Sequence, residues 1–104
     1  MEPRPGDDAG DETAPVTGSI VVRYWASARA AAGVESDALS VTEPLTLTDV
    51  VRRAAALHPD TRLFQVLEVC SVLLGDQPVK SRDPAGVVVR PGQTVEFLPP
   101  FAGG

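Results

Sequence analysis

Few residues in this chain could carry covalent or metal chemistry. It holds one histidine, His58, and one cysteine, Cys70. A zinc site built on that pair would need two further carboxylates. Cys70 stands in an apolar run, where a buried, inert thiol is the expected state. His58 precedes Pro59 at the end of a helical pattern, the ordinary place for an exposed or dipole-facing imidazole. No serine has a histidine base in a recognisable pattern. The glycines at 86 and 92 read as turn residues, not as a phosphate-binding loop. Arg23, Arg52 and Arg53 read as solvated faces. What is left is the closing stretch Phe97-Leu98-Pro99-Pro100-Phe101-Ala102-Gly103-Gly104. Pro99 and Pro100 lack donors and hold φ near the polyproline value, so the exit is extended and stiff. Gly103 and Gly104 have no Cβ and suit a channel too narrow for a side chain. From Pro99 onward the chain can reach about 20 Å at 3.3–3.6 Å per residue. The candidate reactive group is the carboxylate of Gly104. A frayed, glycine-rich end has the same composition, and these residues alone leave both readings open.

The elements that would position this stretch follow from periodicity. Ser19 to Trp25 is β-branched and aromatic, a strand with Ile20, Val22 and Tyr24 on one face and Val21, Arg23 and Trp25 on the other. Ser27 is placed to cap a short helix through the alanines at 28, 30, 31 and 32, and Gly33 to end it. Ser36 to Thr42 reads as a second strand pairing back on the first. Thr46-x-x-Asp49 resembles a capping box, and Leu47, Val50, Val51, Ala54 and Ala55 form the stripe of an amphipathic helix. That helix stops near His58 because a residue before proline avoids the α region. Asp60 or Thr61 opens a short second piece whose apolar side is Leu63, Phe64 and Leu67. Val69 to Leu74 is a third strand, Gly75-Asp76 a tight turn, and Val79 to Ser81 a brief edge strand. Residues 83–86 are loop, and Val87 to Val89 is a further apolar run. Arg90-Pro91-Gly92-Gln93 has type II turn placement. Thr94 to Leu98 is the last strand, with Val95 and Phe97 opposite Glu96 and Leu98.

Composition bounds the rest. The chain has 104 residues and 43% hydrophobic content, enough for one domain. Residues 1–18 carry five acids against Arg4 alone, −4 of the net −5, and almost no large apolar side chain. This segment reads as a disordered acidic leader, followed by a domain over 19–98 and a flexible tail over 99–104. A basic stripe for nucleic acid is absent from the sequence. No run approaches a membrane span, and no signal pattern opens the chain. With a single cysteine, a cytoplasmic location is expected. One helix covering one face of a mixed sheet of four to five strands is an α+β arrangement, similar to the ubiquitin-like β-grasp.

The stretch Val22-Arg23-Tyr24-Trp25-Ala26-Ser27-Ala28-Arg29-Ala30-Ala31-Ala32-Gly33, together with the closing Thr94 to Gly104, resembles the MoaD family of sulfur carriers, the small subunits of molybdopterin synthase. The likeness covers residues 19–104, and Glu43 to Asp83 is only generically similar. The resemblance implies that an ATP-dependent adenylating enzyme activates Gly104 and that a sulfurtransferase donor leads to a thiocarboxylate. It also implies that Gly103 and Gly104 thread into the cleft of a large subunit, in a heterotetramer, where the sulfur attacks a pterin precursor. The chain itself would bind no cofactor and be no enzyme on its own. Trp25, Leu98, Pro99, Pro100, Phe101 and Ala102 are the expected partner interface. Period two supports Trp25 and Leu98, because burying Arg23 and Glu96 unpaired is costly and their faces should turn outward together. Trp25 folding over the sheet's edge is the competing reading. Within carriers, thiamine or cysteine biosynthesis stays open; outside them, so does a modifier conjugated to lysines through Gly104, or a plain binding module.

Overall fold

The computed structural model describes residues 18–80 and 83–100. Most of the leader, Ser81, and the tail residues Phe101, Ala102, Gly103 and Gly104 lie outside the described residues.

Among the described residues, seven strands and three α-helices follow one another in the order β1 (Gly18–Tyr24), α1 (Ala26–Ala32), β2 (Ser36–Val41), β3 (Leu45–Thr46), α2 (Leu47–Ala56), α3 (Leu63–Glu68), β4 (Ser71–Leu74), β5 (Gln77–Pro78), β6 (Val88–Val89) and β7 (Thr94–Leu98). Five strands form one mixed sheet in the order β2-β1-β7-β4-β5, and β3 and β6 form a separate two-stranded ladder. The first and last strands lie side by side and parallel, with Arg23 opposite Glu96 and Tyr24 opposite Phe97. β2 flanks β1 antiparallel, and β4 flanks β7 antiparallel. This is the β-grasp arrangement expected from the sequence. It sets the closing strand at the middle of the sheet.

Alternation decides which face is dry. Ile20, Val22, Val95 and Phe97 are fully buried, and Tyr24 is nearly so. They meet Leu47, Val50 and Ala54 of α2 and Leu63 and Leu67 of α3 in one core. Each such aliphatic or phenyl side chain contributes about 1.5–3 kcal/mol by leaving water. Thr46 caps α2 as its spacing predicts, accepting from the Asp49 backbone N–H at 3.1 Å. Gly33 ends α1 with φ 77°, and Gly92 sits at φ 94° in the turn before β7.

Several local expectations are corrected. β1 spans Gly18–Tyr24 rather than Ser19 to Trp25, and Trp25 is the N-cap of α1. Ser27 therefore lies inside α1 and caps nothing, because the chain turns sharply at Ala26, whose φ of 48° is left-handed. Holding an alanine there costs about 1–2 kcal/mol. α3 begins at Leu63, with the Thr61 hydroxyl accepting from the Leu63 N–H at 3.2 Å. Phe64 is 41% exposed instead of joining the core, since Leu63 and Leu67 already fill the inward side of so short a helix. The strand expected from Val69 starts only at Ser71, because Val69 and Cys70 close α3 by donating to the Val66 and Leu67 carbonyls. The edge strand is Gln77–Pro78, immediately after the Gly75-Asp76 turn, two residues earlier than expected. Asp83 to Gly86 includes a single 3-10 turn, Pro84–Gly86.

Candidate functional site

The chain emerges from β7 at Leu98 and passes through half-buried Pro99 to exposed Pro100. Beside this exit stands Trp25. Its backbone N–H donates to the Phe97 carbonyl at 3.2 Å, extending the β1–β7 ladder by one bond. Its side chain is 43% exposed and held from two sides. Nε1 donates to Glu96 Oε1 at 2.8 Å, and the Arg23 guanidinium lies 5.3 Å from the ring centroid. Arg23 and Glu96 are cross-strand neighbours, so the indole engages both members of an oppositely charged pair. Each exposed contact is worth about 0.5–1 kcal/mol, and together they hold the ring in one orientation. Trp25 is therefore partly satisfied within its own domain, as the competing reading expects, while a large share of its surface stays open to solvent.

Behind the exit, on the helix side, lies a groove of about 720 Å³. α2 contributes Val51, α3 contributes Phe64 and Leu67, and the β4–β5 side contributes Val72 and Val79, with Leu98 also lining it. Cys70 belongs to the same wall. Its Sγ–H donates to the Val66 carbonyl at 3.2 Å, and burial pushes the thiol up to about 11. A thiol so disposed is protonated at neutral pH and a poor nucleophile.

His58 corrects its sequence reading. It is largely buried, with Nε2 2.6 Å from Asp37 Oδ2, and the same oxygen accepts from the Tyr24 hydroxyl at 2.8 Å. Burial, then the hydrogen bond to Asp37 and its negative charge, drive the Tyr24 phenol well above its ordinary range. This cluster ties β1 and β2 to the end of α2, a structural role. The signal for it was present: Asp37 shares its face of β2 with Leu39 and Val41. The Glu96–Trp25 contact could be anticipated only by knowing that the first and last strands pair. Among the described residues, no group of three or more His, Cys, Asp or Glu side chains is arranged to hold a metal ion. None of their helices is long and apolar enough to cross a membrane.

A small mixed sheet grasping its helices, with the last strand central, is the ubiquitin-like β-grasp architecture. The chain belongs to the ThiS family, whose sequence signature matches residues 22–104, within the ThiS/MoaD group of ubiquitin-like sulfur carriers. It is 30% identical over 83 residues to a molybdopterin synthase sulfur carrier subunit from Aspergillus niger, covering 80% of this chain and 91% of that protein. The solution structure of the Haloferax volcanii HVO 2177 protein is similar with TM-score 0.66 and 25% identity, covering 97% of this chain and 100% of that one. The crystal structure of small archaeal modifier protein 1 from H. volcanii has TM-score 0.65 at 17% identity, covering 80% of this chain and 98% of that one, a likeness of fold alone.

Proposed function

We propose that this chain is the sulfur-carrying small subunit of a molybdopterin synthase, working through the carboxylate of Gly104. The observation that carries the proposal is its 30% identity, across most of both chains, to a protein of that description. The sequence supports it further: β7 runs directly into Pro99-Pro100, ahead of Phe101-Ala102-Gly103-Gly104.

The chemistry follows from the group. A terminal carboxyl has a reference pKa of about 3.3–3.7, so at neutral pH it is an anion and a poor electrophile. An adenylating partner joins one carboxylate oxygen to the α-phosphate of ATP and releases pyrophosphate. Sulfur at the sulfide level, supplied through a sulfurtransferase, then adds to the carbonyl and expels AMP, leaving a thiocarboxylate at Gly104. That anionic sulfur is the nucleophile toward the pterin precursor bound by the large subunit. Gly103 and Gly104 enter the partner's cleft, while Trp25, Leu98, Pro99, Pro100, Phe101 and Ala102 contact its surface. ATP is used by the partner, this chain binds no cofactor, and the assembly works in the cytoplasm.

Intact-mass analysis of protein from its own cell tests the reading. A species with one oxygen replaced by sulfur is the expected result, and deleting Gly104, or making Gly103 bulky, should abolish pterin conversion with unchanged melting. Conversion retained without Gly104 would sink the proposal. Higher-mass lysine conjugates would instead identify a protein modifier.

A further inference from the structure

The five-stranded sheet ends on β2 at one side and on β5 at the other. β5 is a poor template for further pairing, because it has two residues and one is Pro78, which donates nothing. β2 is six residues long, contains no proline, and pairs with β1 in an unbroken register from Arg23–Ser36 to Gly18–Val41. Tyr24 donates to the Glu35 carbonyl at 2.9 Å, which fixes the alternation. Asp37, Leu39 and Val41 turn their backbone groups toward β1, and Ser36, Ala38 and Ser40 turn theirs away. Arg53 marks that outward side, since its guanidinium donates to the Ser40 carbonyl at 2.9 Å. The side chains of Ser36, Ala38 and Ser40 are small, uncharged and exposed, so nothing on that pleat keeps another backbone from approaching. Asp37, the only charged residue of the strand, faces the other way and is held by His58 and Tyr24.

We propose that β2 is the interface between two copies of this chain, which pair antiparallel about Ala38 and continue the sheet from one copy into the other. A strand paired with itself in this way is symmetric, so every contact occurs twice. Ala38 exchanges both backbone bonds with Ala38 of the second copy, and Ser36 does so with Ser40. The Ser40 carbonyl has two lone pairs and can accept from that copy while keeping Arg53. The register also puts unlike charges together. Glu35 precedes Ser36, so at both ends it arrives beside the Arg53 that caps the opposite Ser40. Glu35 is exposed, with Arg29 as its present partner at 3.0 Å. Asp37 falls opposite Leu39, so no like charges meet across the strands. One short edge buries less surface than a permanent dimer needs, and the association is therefore weak and reversible. β7 lies two strands in from this edge, which leaves the exit at Leu98 open in the dimer. The pairing is independent of the chemistry at Gly104.

Sedimentation equilibrium and amide hydrogen exchange on the full chain, both followed up to millimolar concentration, test the pairing. The expected result is a monomer–dimer equilibrium, with exchange at the Ser36, Ala38 and Ser40 amides slowing about tenfold or more as the dimer forms. Ala38→Pro removes the central outward donor without touching a bond to β1, so it should be monomeric with an unchanged far-ultraviolet spectrum. Should proline disturb the strand, Ala38→Lys decides: it sets two like charges opposite each other at the symmetry axis and should weaken dimerisation severalfold. A parent chain that stays monomeric with freely exchanging edge amides overturns the proposal. A dimer that both variants form as readily as the parent also overturns it, because its interface then lies elsewhere. Protected edge amides in a monomeric parent do the same, since another segment of the same chain then covers β2.

Discussion

Replacing Trp25 by alanine removes an indole of which 43% is exposed, so a little more than half of its surface is covered by its own domain. At most about 250 Å² is available from a tryptophan, which puts ~140 Å² at stake and an upper bound near 3.5 kcal/mol. Part of that cover is local backbone that alanine keeps. The exposed Nε1–Glu96 bond and the Arg23 stacking return about 0.5–1 kcal/mol each. The expected loss of stability is about 2 kcal/mol, a fall in Tm of roughly 8–16 °C for a domain of this size. Binding to the large subunit should weaken by about 2 kcal/mol or more, near 30-fold, if the half-exposed indole is the centre of the interface. Trp25→Phe keeps a ring beside Arg23 and loses the Nε1 donor, so its Tm should drop by only a few degrees. Circular-dichroism melts give the first quantity and isothermal titration calorimetry the second. A folded Trp25→Ala protein whose partner affinity changes less than about twofold refutes the interface reasoning. A Tm unchanged in the same variant would show that the contacts to Glu96 and Arg23 hold nothing.

Asp37→Ala leaves the Tyr24 hydroxyl and His58 Nε2 without their shared acceptor in a largely buried site, so thermal melts should show about 2–4 kcal/mol less stability. Asp37→Asn, which keeps an acceptor oxygen, should lose less. The raised Tyr24 phenol predicts alkaline instability: its contribution is complete below the ordinary value of 10.0, and the unfolded chain alone gives up the proton as pH rises above that. Stability should then fall by about 1.4 kcal/mol per pH unit until the folded phenol also titrates. Cys70 adds its own loss between 9.0 and about 11, so the comparison is made above that window, where Tyr24→Phe should flatten the slope; a slope equally steep there in Tyr24→Phe contradicts the assignment.

The sequence by itself determined the features written in local contrast between apolar and polar neighbours. Ile20, Val22 and Tyr24 alternate with Val21 and Arg23, and only one pleat can face the core. Leu47, Val50 and Ala54 recur at helical spacing, Thr46 offers its oxygen three residues ahead, and Gly33 and Gly92 accept positive φ. Tertiary structure decided which distant segments share a wall. Trp25 and Glu96 stand 71 residues apart, and only the parallel register of β1 on β7 sets the indole against that carboxylate. Leu45 and Thr46 pair with Val89 and Val88 in a ladder too short to announce itself in either segment. His58 looked exposed because it precedes Pro59 at the end of a helix, yet it lies largely buried where β2 sets Asp37 beside it. Phe64 looked buried because it sits among apolar residues, and it was left outside once Leu63 and Leu67 had filled the space beneath α3. Periodicity records how each residue differs from its neighbours along the chain, whereas burial at element ends depends on which volume another element has already occupied.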